Sequence, residues 1–497
     1  MTTATAVTAV AGAPARARDR WDRLGRPARV LAWLFAATVL VKVVVYVGVA
    51  GGGLVGDEAY YFDSGRALSN AVRDLVWLRS PDPGEMDRIV VGSGWFMPGM
   101  SVVLTPLYLV FPGAPLEVAR GYLALLTTLL LLVTALRVRR TLGAVPAGAV
   151  LVYPGLVPTY AAFGAAGWGD SAAGLVAVLM VCQAIDMVRA VREHGSISWR
   201  AGVTLGVYAI VAVYFRSSVS LLVVGVLGVT FVVSMVLAAR AERGRVVLSY
   251  VAAGVAFLAI LAPWSIGASA ALDARVVTTV SVPTVRANTF GDRDLVCFGE
   301  CDPGSSIWFS PLRYSREQAR AAGLSEVDIA SEMSAYARRD VTSTSYARDV
   351  GINAGRYFYN PARFATLLRW HDAPYSIVPL AEVGTAGLFY PASLLMLVVL
   401  GAVTRRSFDL QLSLVLVKVA IITLMVQPFV HIAGPRYWTT LAPLLGLGAA
   451  LLWAVRRERI DDAPRAGGAV ARLLYVAQVG LGLFALAVVV GVGLLAL

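Results

Sequence analysis

Two adjacent acids, Asp57 and Glu58, follow a strongly apolar stretch and a glycine run, in the segment GDEAYY. Carboxylates close to a bilayer can act in acid–base chemistry, where one of them accepts the proton of a hydroxyl group. Acidic residues are also common in the first turn of a helix, because they stabilise the positive end of the helix dipole. Residue type and spacing leave both interpretations open.

Two arginines lie beside apolar runs where a membrane boundary is expected, Arg216 in YFRSSVSLL and Arg436 in HIAGPRYW. A guanidinium can bind phosphate through two parallel hydrogen bonds, or it can simply reach from a helix end to the interface. His431 could share phosphate binding or pack as a polar residue. Asp170, in GWGDSAAGL, either caps a helix or approaches Asp57 across an external cavity.

The three cysteines predict little chemistry. Cys182 lies inside an apolar run, which indicates packing. Cys297 and Cys301 lie in the longest polar segment, in CFGEC, and could form a disulfide if that segment faces an oxidising compartment. A metal pair is less favoured, because no histidine or further cysteine is near in sequence. We expect no metal and no cofactor.

The composition indicates the elements that must position these residues. Of 497 residues, 58% are hydrophobic and 15% are charged, and the mean hydropathy is +0.71. Apolar runs of about 20 residues predict an all-α polytopic membrane protein with about eleven transmembrane helices. The predicted spans are 29–50, 117–136, 144–163, 169–188, 201–215, 217–239, 247–267, 384–403, 409–430, 436–455 and 470–495.

The net charge of +12 would suggest nucleic-acid binding in a soluble domain. The arginines instead lie mainly beside apolar runs, as in proteins oriented by positive charge on the cytoplasmic side. We therefore expect a lipid bilayer as partner and no nucleic acid.

The run 97–111 is ambiguous because it is short and contains Pro98 and Pro106. If it does not cross, nearly all the short basic loops fall on the cytoplasmic side, as the positive-inside rule requires. We therefore predict a cytoplasmic N-terminus, with 97–111 at the outer interface. The segment AYYFDSGRALSNAV after Glu58 predicts a second interfacial helix.

This topology divides the chain into four regions and places Asp57, Asp170, His431 and Arg436 on the external face. The segment 268–383 contains polar and amphipathic stretches that predict one or two surface helices. The predicted regions are a disordered basic cytoplasmic tail (1–28), an N-terminal transmembrane module (29–267) whose first external loop is 51–96, an external, partly helical cap segment (268–383), and C-terminal transmembrane helices (384–497).

Four stretches together resemble one family. They are similar to segments of the GT-C glycosyltransferases, in the protein-mannosyltransferase and aminoarabinose-transferase branch. The four stretches are GDEAYY…GRAL, GWFMPGMSVVLTPLYLVFPGAPLEVARGYLALLTTLLLLVTALRVRRTLG, YFRSSVSLLVV and GPRYWTTLAPLLGL. The resemblance covers roughly the first 240 residues and, more weakly, the last 100. It does not extend to 268–383, and the double proline usual before the second helix is here Met97-Pro98.

The resemblance implies a GT-C-like fold and an inverting glycosyltransferase of the cell membrane, with the active site outside. The implied donor is a polyprenyl-phosphate monosaccharide, with mannose or arabinofuranose favoured by a composition typical of high-GC bacteria. The implied acceptor is a hydroxyl of a cell-envelope glycan, glycolipid or protein. The site residues that it implies are Asp57 as base, Glu58 as its acidic partner, Arg436, Arg216 and His431 at the donor phosphate, and Asp170, Tyr60 and Tyr437 as sugar or acceptor contacts.

Two other functions fit the same residues. A transporter or flippase of a lipid-linked or anionic substrate would use the acids in proton transfer and the arginines for phosphate. A membrane scaffold whose external cap binds a partner would need neither acid. The large external segment and the lack of a detectable two-half repeat argue against the transporter.

Overall fold

The structure, a computed structural model, is all-helical, with 84% helix and no strand in the residues that it describes. It describes residues 25–54, 57–85, 88–89, 97–272, 275–279, 321–339, 341–358, 377–430, 435–460 and 468–496. The helices are α1 (Arg26–Val49), α2 (Glu58–Val76), α3 (Gly99–Val110), α4 (Leu116–Leu142), α5 (Ala144–Val152), α6 (Pro158–Ala165), α7 (Asp170–His194), α8 (Trp199–Phe215), α9 (Ser220–Leu237), α10 (Arg243–Ala271), α11 (Glu326–Ala337), α12 (Ser343–Phe358), α13 (Ile377–Gly401), α14 (Phe408–Leu424), α15 (Trp438–Ile460) and α16 (Ala469–Ala496).

Eight helical segments in the described residues are long and apolar enough to cross a membrane. They contain α1, α4, α7, α9, α10, α14, α15 and α16, and each coincides with a predicted span. The prediction of an all-α chain with several helices long and apolar enough to span a membrane is therefore confirmed. Two further predicted spans, 201–215 and 384–403, fall on α8 and α13, and α8 is a shorter apolar helix of 17 residues.

The predicted span 144–163 is wrong as a single helix. The structure divides it into α5 and α6, with Tyr153 in an extended conformation between them. Pro154 and Pro158 explain the break, because proline has no N–H to donate and disfavours a helical conformation in the residue before it. Every residue of α6 other than Pro158 is buried. An interrupted helix is tolerated at membrane depth when it is buried within the protein in this way.

The stretches predicted to lie at the membrane interface form the helices α2 and α3, and these helices pack against each other. The 12 residues of α3 give a length of about 18 Å, too short for a hydrocarbon core of about 30 Å. The two helices approach each other closely at Gly65, where an added Cβ would lie 2.9 Å from Cβ of Leu104. The prediction that 97–111 does not cross is consistent with this length.

The helix α7 is the centre of the bundle. It is buried along nearly its whole length and packs against α4, α8, α9 and α15. The contact with α15 is a backbone contact, since a Cβ on Gly174 would lie 2.5 Å from the carbonyl oxygen of Thr440. This contact fixes Asp170, the first residue of α7, beside the start of α15.

Ion pairs join three helices at the end of α7 opposite to Asp170. Arg137 of α4 contacts Asp186 of α7 at 2.7 Å, and Arg189 of α7 contacts Asp409 of α14 at 3.2 Å. Arg189 also donates a hydrogen bond of 2.6 Å to the carbonyl oxygen of Thr141. The two ends of α7 are thus held by different charged groups.

The described part of the segment 268–383 contains α11 and α12, so the prediction of helices there is confirmed, and its external position stays a prediction. The helix α12 packs against α16 and against the turn Gln427–Phe429. The hydroxyl of Tyr346 donates a 2.9 Å hydrogen bond to the carbonyl oxygen of Phe429, and Asn353 donates one of 3.4 Å to Pro428. This segment is therefore anchored close to the turn that carries Arg436.

Candidate functional site

Four charged side chains from four separate segments form a charged cluster. Asp57 lies at the N-terminus of α2, Asp170 begins α7, Arg216 follows α8, and Arg436 lies in the turn Pro435–Tyr437 before α15. Arg436 pairs with Asp57, and Arg216 pairs with Asp170. Nε of Arg436 also lies 3.9 Å from Oδ2 of Asp170. The two acids thus share one arginine, which links the two ion pairs.

The charged cluster is shielded from solvent. Asp57 and Asp170 are 9% and 3% exposed, and the arginine side chains are 12% and 23% exposed. Taking charges out of water is costly unless they are paired, and here two acids balance two arginines. This balance has a chemical consequence, because any anion that binds the arginines must compete with the carboxylates.

Aromatic rings hold both arginines of the charged cluster. Cζ of Arg216 lies 3.8 Å from the centroid of the Tyr437 ring, and Cζ of Arg436 lies 5.3 Å from that of Trp168. Stacking on an aromatic face orients the planar guanidinium and leaves its N–H edges available. Tyr437 was predicted as a sugar or acceptor contact, and the structure places it against both arginines.

Tyr61 lies in α2 beside the charged cluster. Burial and the Asp57 carboxylate raise the pKa of the Tyr61 phenol above its usual value, against the opposite influence of Arg436 and Arg216. The phenol is therefore neutral at physiological pH and keeps its O–H as a hydrogen-bond donor. Tyr60, the predicted sugar or acceptor contact, is partly exposed on the same helix.

Glu58 lies in a different environment from Asp57. Its side chain is fully buried, and its Oε2 accepts a 2.9 Å hydrogen bond from Nη2 of Arg120 in α4. Its Oε1 accepts a 2.9 Å hydrogen bond from the backbone N–H of Gly167. Both oxygens are thus engaged in contacts that hold the fold, and the structure places Glu58 outside the charged cluster. The geometry favours an orienting role for Glu58, and its predicted catalytic role stays a prediction.

Arg120 connects the Glu58 carboxylate to the end of α1. Its Nη1 donates hydrogen bonds of 2.9 and 2.6 Å to the carbonyl oxygens of Val49 and Gly52, and its Nη2 donates one of 2.8 Å to Gly53. Carbonyl groups at the end of a helix lack partners within the helix and attract cations. Arg120 therefore fixes the chain between α1 and α2, which leads directly to Asp57.

The Gly167–Gly169 loop carries the chain into Asp170. A side chain on Gly169 would lie 2.4 Å from the carbonyl oxygen of Phe215, so only glycine fits against the end of α8. The loop is also bonded to Glu58 through Gly167. It therefore connects the positions of Asp57, Asp170 and Arg216.

Sequence reasoning missed three residues of this region, Tyr61, Arg120 and Trp168. Arg120 did carry a signal, because a single arginine near the start of a long apolar run is costly without a partner. Trp168 lies between two glycines, which is a weaker signal. The predicted residues His431, Cys297 and Cys301 lie outside the residues that the structure describes.

The charged cluster suits binding of an anion and transfer of a proton. Two guanidinium groups can bind phosphate oxygens, and a carboxylate next to them can accept a proton. Among the described residues, no three His, Cys, Asp or Glu side chains are grouped as a metal site requires. No protein-family model and no curated protein matches this chain.

Proposed function

We propose that this protein is a membrane glycosyltransferase that moves a monosaccharide from a polyprenyl-phosphate donor to a hydroxyl of an extracytoplasmic acceptor. The supporting observation is the meeting of two carboxylates and two arginines, from four distant segments, in one shielded cluster. Mannose or arabinofuranose is the proposed sugar. The proposed acceptor is a cell-envelope glycan, glycolipid or protein, and the proposed location is the cell membrane.

Arg436 and Arg216 are the proposed phosphate-binding residues. Both lie just before or after an apolar helix, where the phosphate of a lipid-linked donor would lie while its polyprenyl chain remains in the bilayer. A guanidinium binds phosphate oxygens in pairs. It also stabilises the negative charge that develops on the phosphate as the sugar leaves.

Asp57 is the proposed general base. The acceptor oxygen forms a bond to the anomeric carbon while the bond from that carbon to the phosphate oxygen breaks. The proton of the acceptor hydroxyl passes to Asp57, and the polyprenyl phosphate leaves with the bonding electrons. One such displacement inverts the configuration at the anomeric carbon.

The pairing of Arg436 with Asp57 relates donor binding to this proton transfer. In this structure the carboxylate is bound to the arginine, and a phosphate would take that arginine as its own partner. Asp57 is then released toward the acceptor hydroxyl only when a donor is present. Asp170 remains as the counter-charge of Arg216.

The proposal is tested with the purified chain in nanodiscs and with polyprenyl-phosphate mannose or arabinofuranose as donor. We expect sugar transfer by the wild type and, for Asp57→Asn, a fall in rate of at least about 100-fold, the usual contribution of a general base. Asp63→Asn is the matched control, because Asp63 lies on the same helix, is 51% exposed and pairs with the exposed Arg88 at 3.4 Å.

Two outcomes would contradict the proposal. Full transfer by Asp57→Asn would remove Asp57 from the mechanism. Movement of the lipid-linked substrate between leaflets, without any glycosylated product, would favour the transporter instead.

A further inference from the structure

The indole N–H of Trp168 is buried and has no hydrogen-bond acceptor in the described part of the chain. The residue is 7% exposed. Tryptophan and tyrosine usually find a partner for their polar group when they are buried, and a donor left without one costs free energy. An unpaired group of this kind in a native protein requires an explanation, and binding of a ligand is one.

The surroundings of Trp168 connect this donor to the charged cluster. Its ring lies against the guanidinium of Arg436, with Cζ 5.3 Å from the centroid, and against Phe163 at 5.3 Å between ring centroids. One cationic contact and one aromatic contact therefore fix the plane of the indole ring. They use the face of the indole and leave the N–H at its edge.

The backbone on both sides of Trp168 is also fixed. The N–H of Gly167 is bonded to Glu58, and Gly169 lies so close to Phe215 that a Cβ would clash. The indole is thus held in place by contacts that do not involve its own N–H. A side chain held in this way is typical of a preorganised binding group.

Resting on the proposed function, we propose that Trp168 binds the donor, with its Nε1–H donating a hydrogen bond to an oxygen of the lipid-linked phosphate. The ligand group is an anion, because the indole lies against the guanidinium that would bind the phosphate. A hydrogen bond to a charged oxygen is about twice as strong as one between neutral groups. Trp168 is then a substrate-binding residue beside Arg436.

Entry of the phosphate requires Arg436 to separate from Asp57. Oδ2 of Asp57 and Nε1 of Trp168 are both shielded from solvent in this structure, and Arg436 contacts both residues. The same movement would release the carboxylate toward the acceptor. The phosphate would then bind Arg436 and lie beside the indole that this arginine contacts.

The test measures the affinity of a polyprenyl monophosphate for the full chain in nanodiscs, with the uncharged polyprenol as a second ligand. Trp168→Phe keeps an aromatic ring against Arg436 and removes the N–H. We expect this variant to bind the monophosphate about tenfold more weakly, as loss of a hydrogen bond to a charged group predicts, and the polyprenol equally well. Trp453→Phe, in an exposed position of α15, is the matched control.

A second change protects the test against a folding defect. Benzothienylalanine at position 168 keeps the bicyclic shape of tryptophan and lacks the N–H, and it should show the same selective loss. If the wild type binds the monophosphate and both changes leave its affinity intact, the role of Trp168 is overturned while the proposed function stands. If the wild type binds no polyprenyl monophosphate at all, both are overturned.

Discussion

At the scale of single residues, the pairing of Arg436 determines whether a neighbouring carboxylate is available to accept a proton. It pairs with Asp57, approaches Asp170 to 3.9 Å and lies over the rings of Trp168 and Tyr437. A guanidinium held by these groups is oriented before any ligand arrives, so it loses little freedom on binding. A change at Arg436 alters anion binding and the state of Asp57 together, whereas a change at Asp57 separates the two effects.

Removal of the Asp57 charge should strengthen phosphate binding although it abolishes transfer. Asp57 and a phosphate compete for Arg436, so Asp57→Asn frees the arginine. We expect a gain in affinity for a polyprenyl monophosphate of about fivefold for each 1 kcal/mol of competition that the substitution removes. Calorimetric titration in nanodiscs measures the affinity of the wild type and of Asp57→Asn for the polyprenyl monophosphate. Weaker binding by Asp57→Asn would show that Asp57 positions Arg436 and does not compete with the ligand.

At the scale of elements, the Glu58–Arg120 pair holds together the segments that lead into the charged cluster. Arg120 binds the carbonyl groups at the end of α1, and Glu58 binds the loop before α7. This one buried pair thus fixes the start of α2, the loop at Gly167 and the start of α4 to one another. A shift of this pair would move Asp57 and Asp170 at the same time.

Glu58→Gln should therefore reduce stability as well as activity. The amide keeps the shape of the side chain but leaves the buried Arg120 charge unpaired, which costs about 3–5 kcal/mol. Thermal unfolding in detergent measures the loss, with Glu117→Gln as a control at an exposed position of α4. Unchanged stability of Glu58→Gln would contradict the structural role of the pair.

At the scale of the whole molecule, the bundle separates two charged regions. The charged cluster lies at the start of α7, and the ion pairs of Asp186 and Asp409 lie toward its end. Because α7 is long and apolar enough to cross a membrane, we expect these regions to lie on opposite faces. The distribution of basic loops predicts that the N-terminus and the second region are cytoplasmic.

This orientation predicts the labelling of single cysteines introduced into a variant without Cys182, Cys297 and Cys301. Cysteine at Asp63, an exposed position of α2, should react with a membrane-impermeant maleimide in intact cells. Cysteine at His194, at the end of α7, should react only after permeabilisation. Both positions are exposed, so access to the reagent depends on the side of the membrane. The reverse pattern would place the charged cluster in the cytoplasm.

The sequence by itself determined the helical membrane class and the positions of most spanning helices. These depend on hydrophobicity and length within one stretch of chain, and eight predicted spans are long apolar helices in the structure. The span 144–163 was the exception, because two prolines outweighed its apolar composition. Hydropathy alone did not predict that α5 and α6 would be separate.

Only the tertiary structure decided how the charges pair. The sequence singled out Asp57, Glu58, Asp170, Arg216 and Arg436, but it could not show that Asp57 meets Arg436 while Glu58 meets Arg120. Asp57 and Glu58 are neighbours in sequence, yet the first turn of α2 directs them to different partners. Trp168 and Tyr61 became candidates in the same way, by their distance from a guanidinium or a carboxylate. The pairing of charges depends on contacts between residues far apart in sequence, and the packing of the helices determines those contacts.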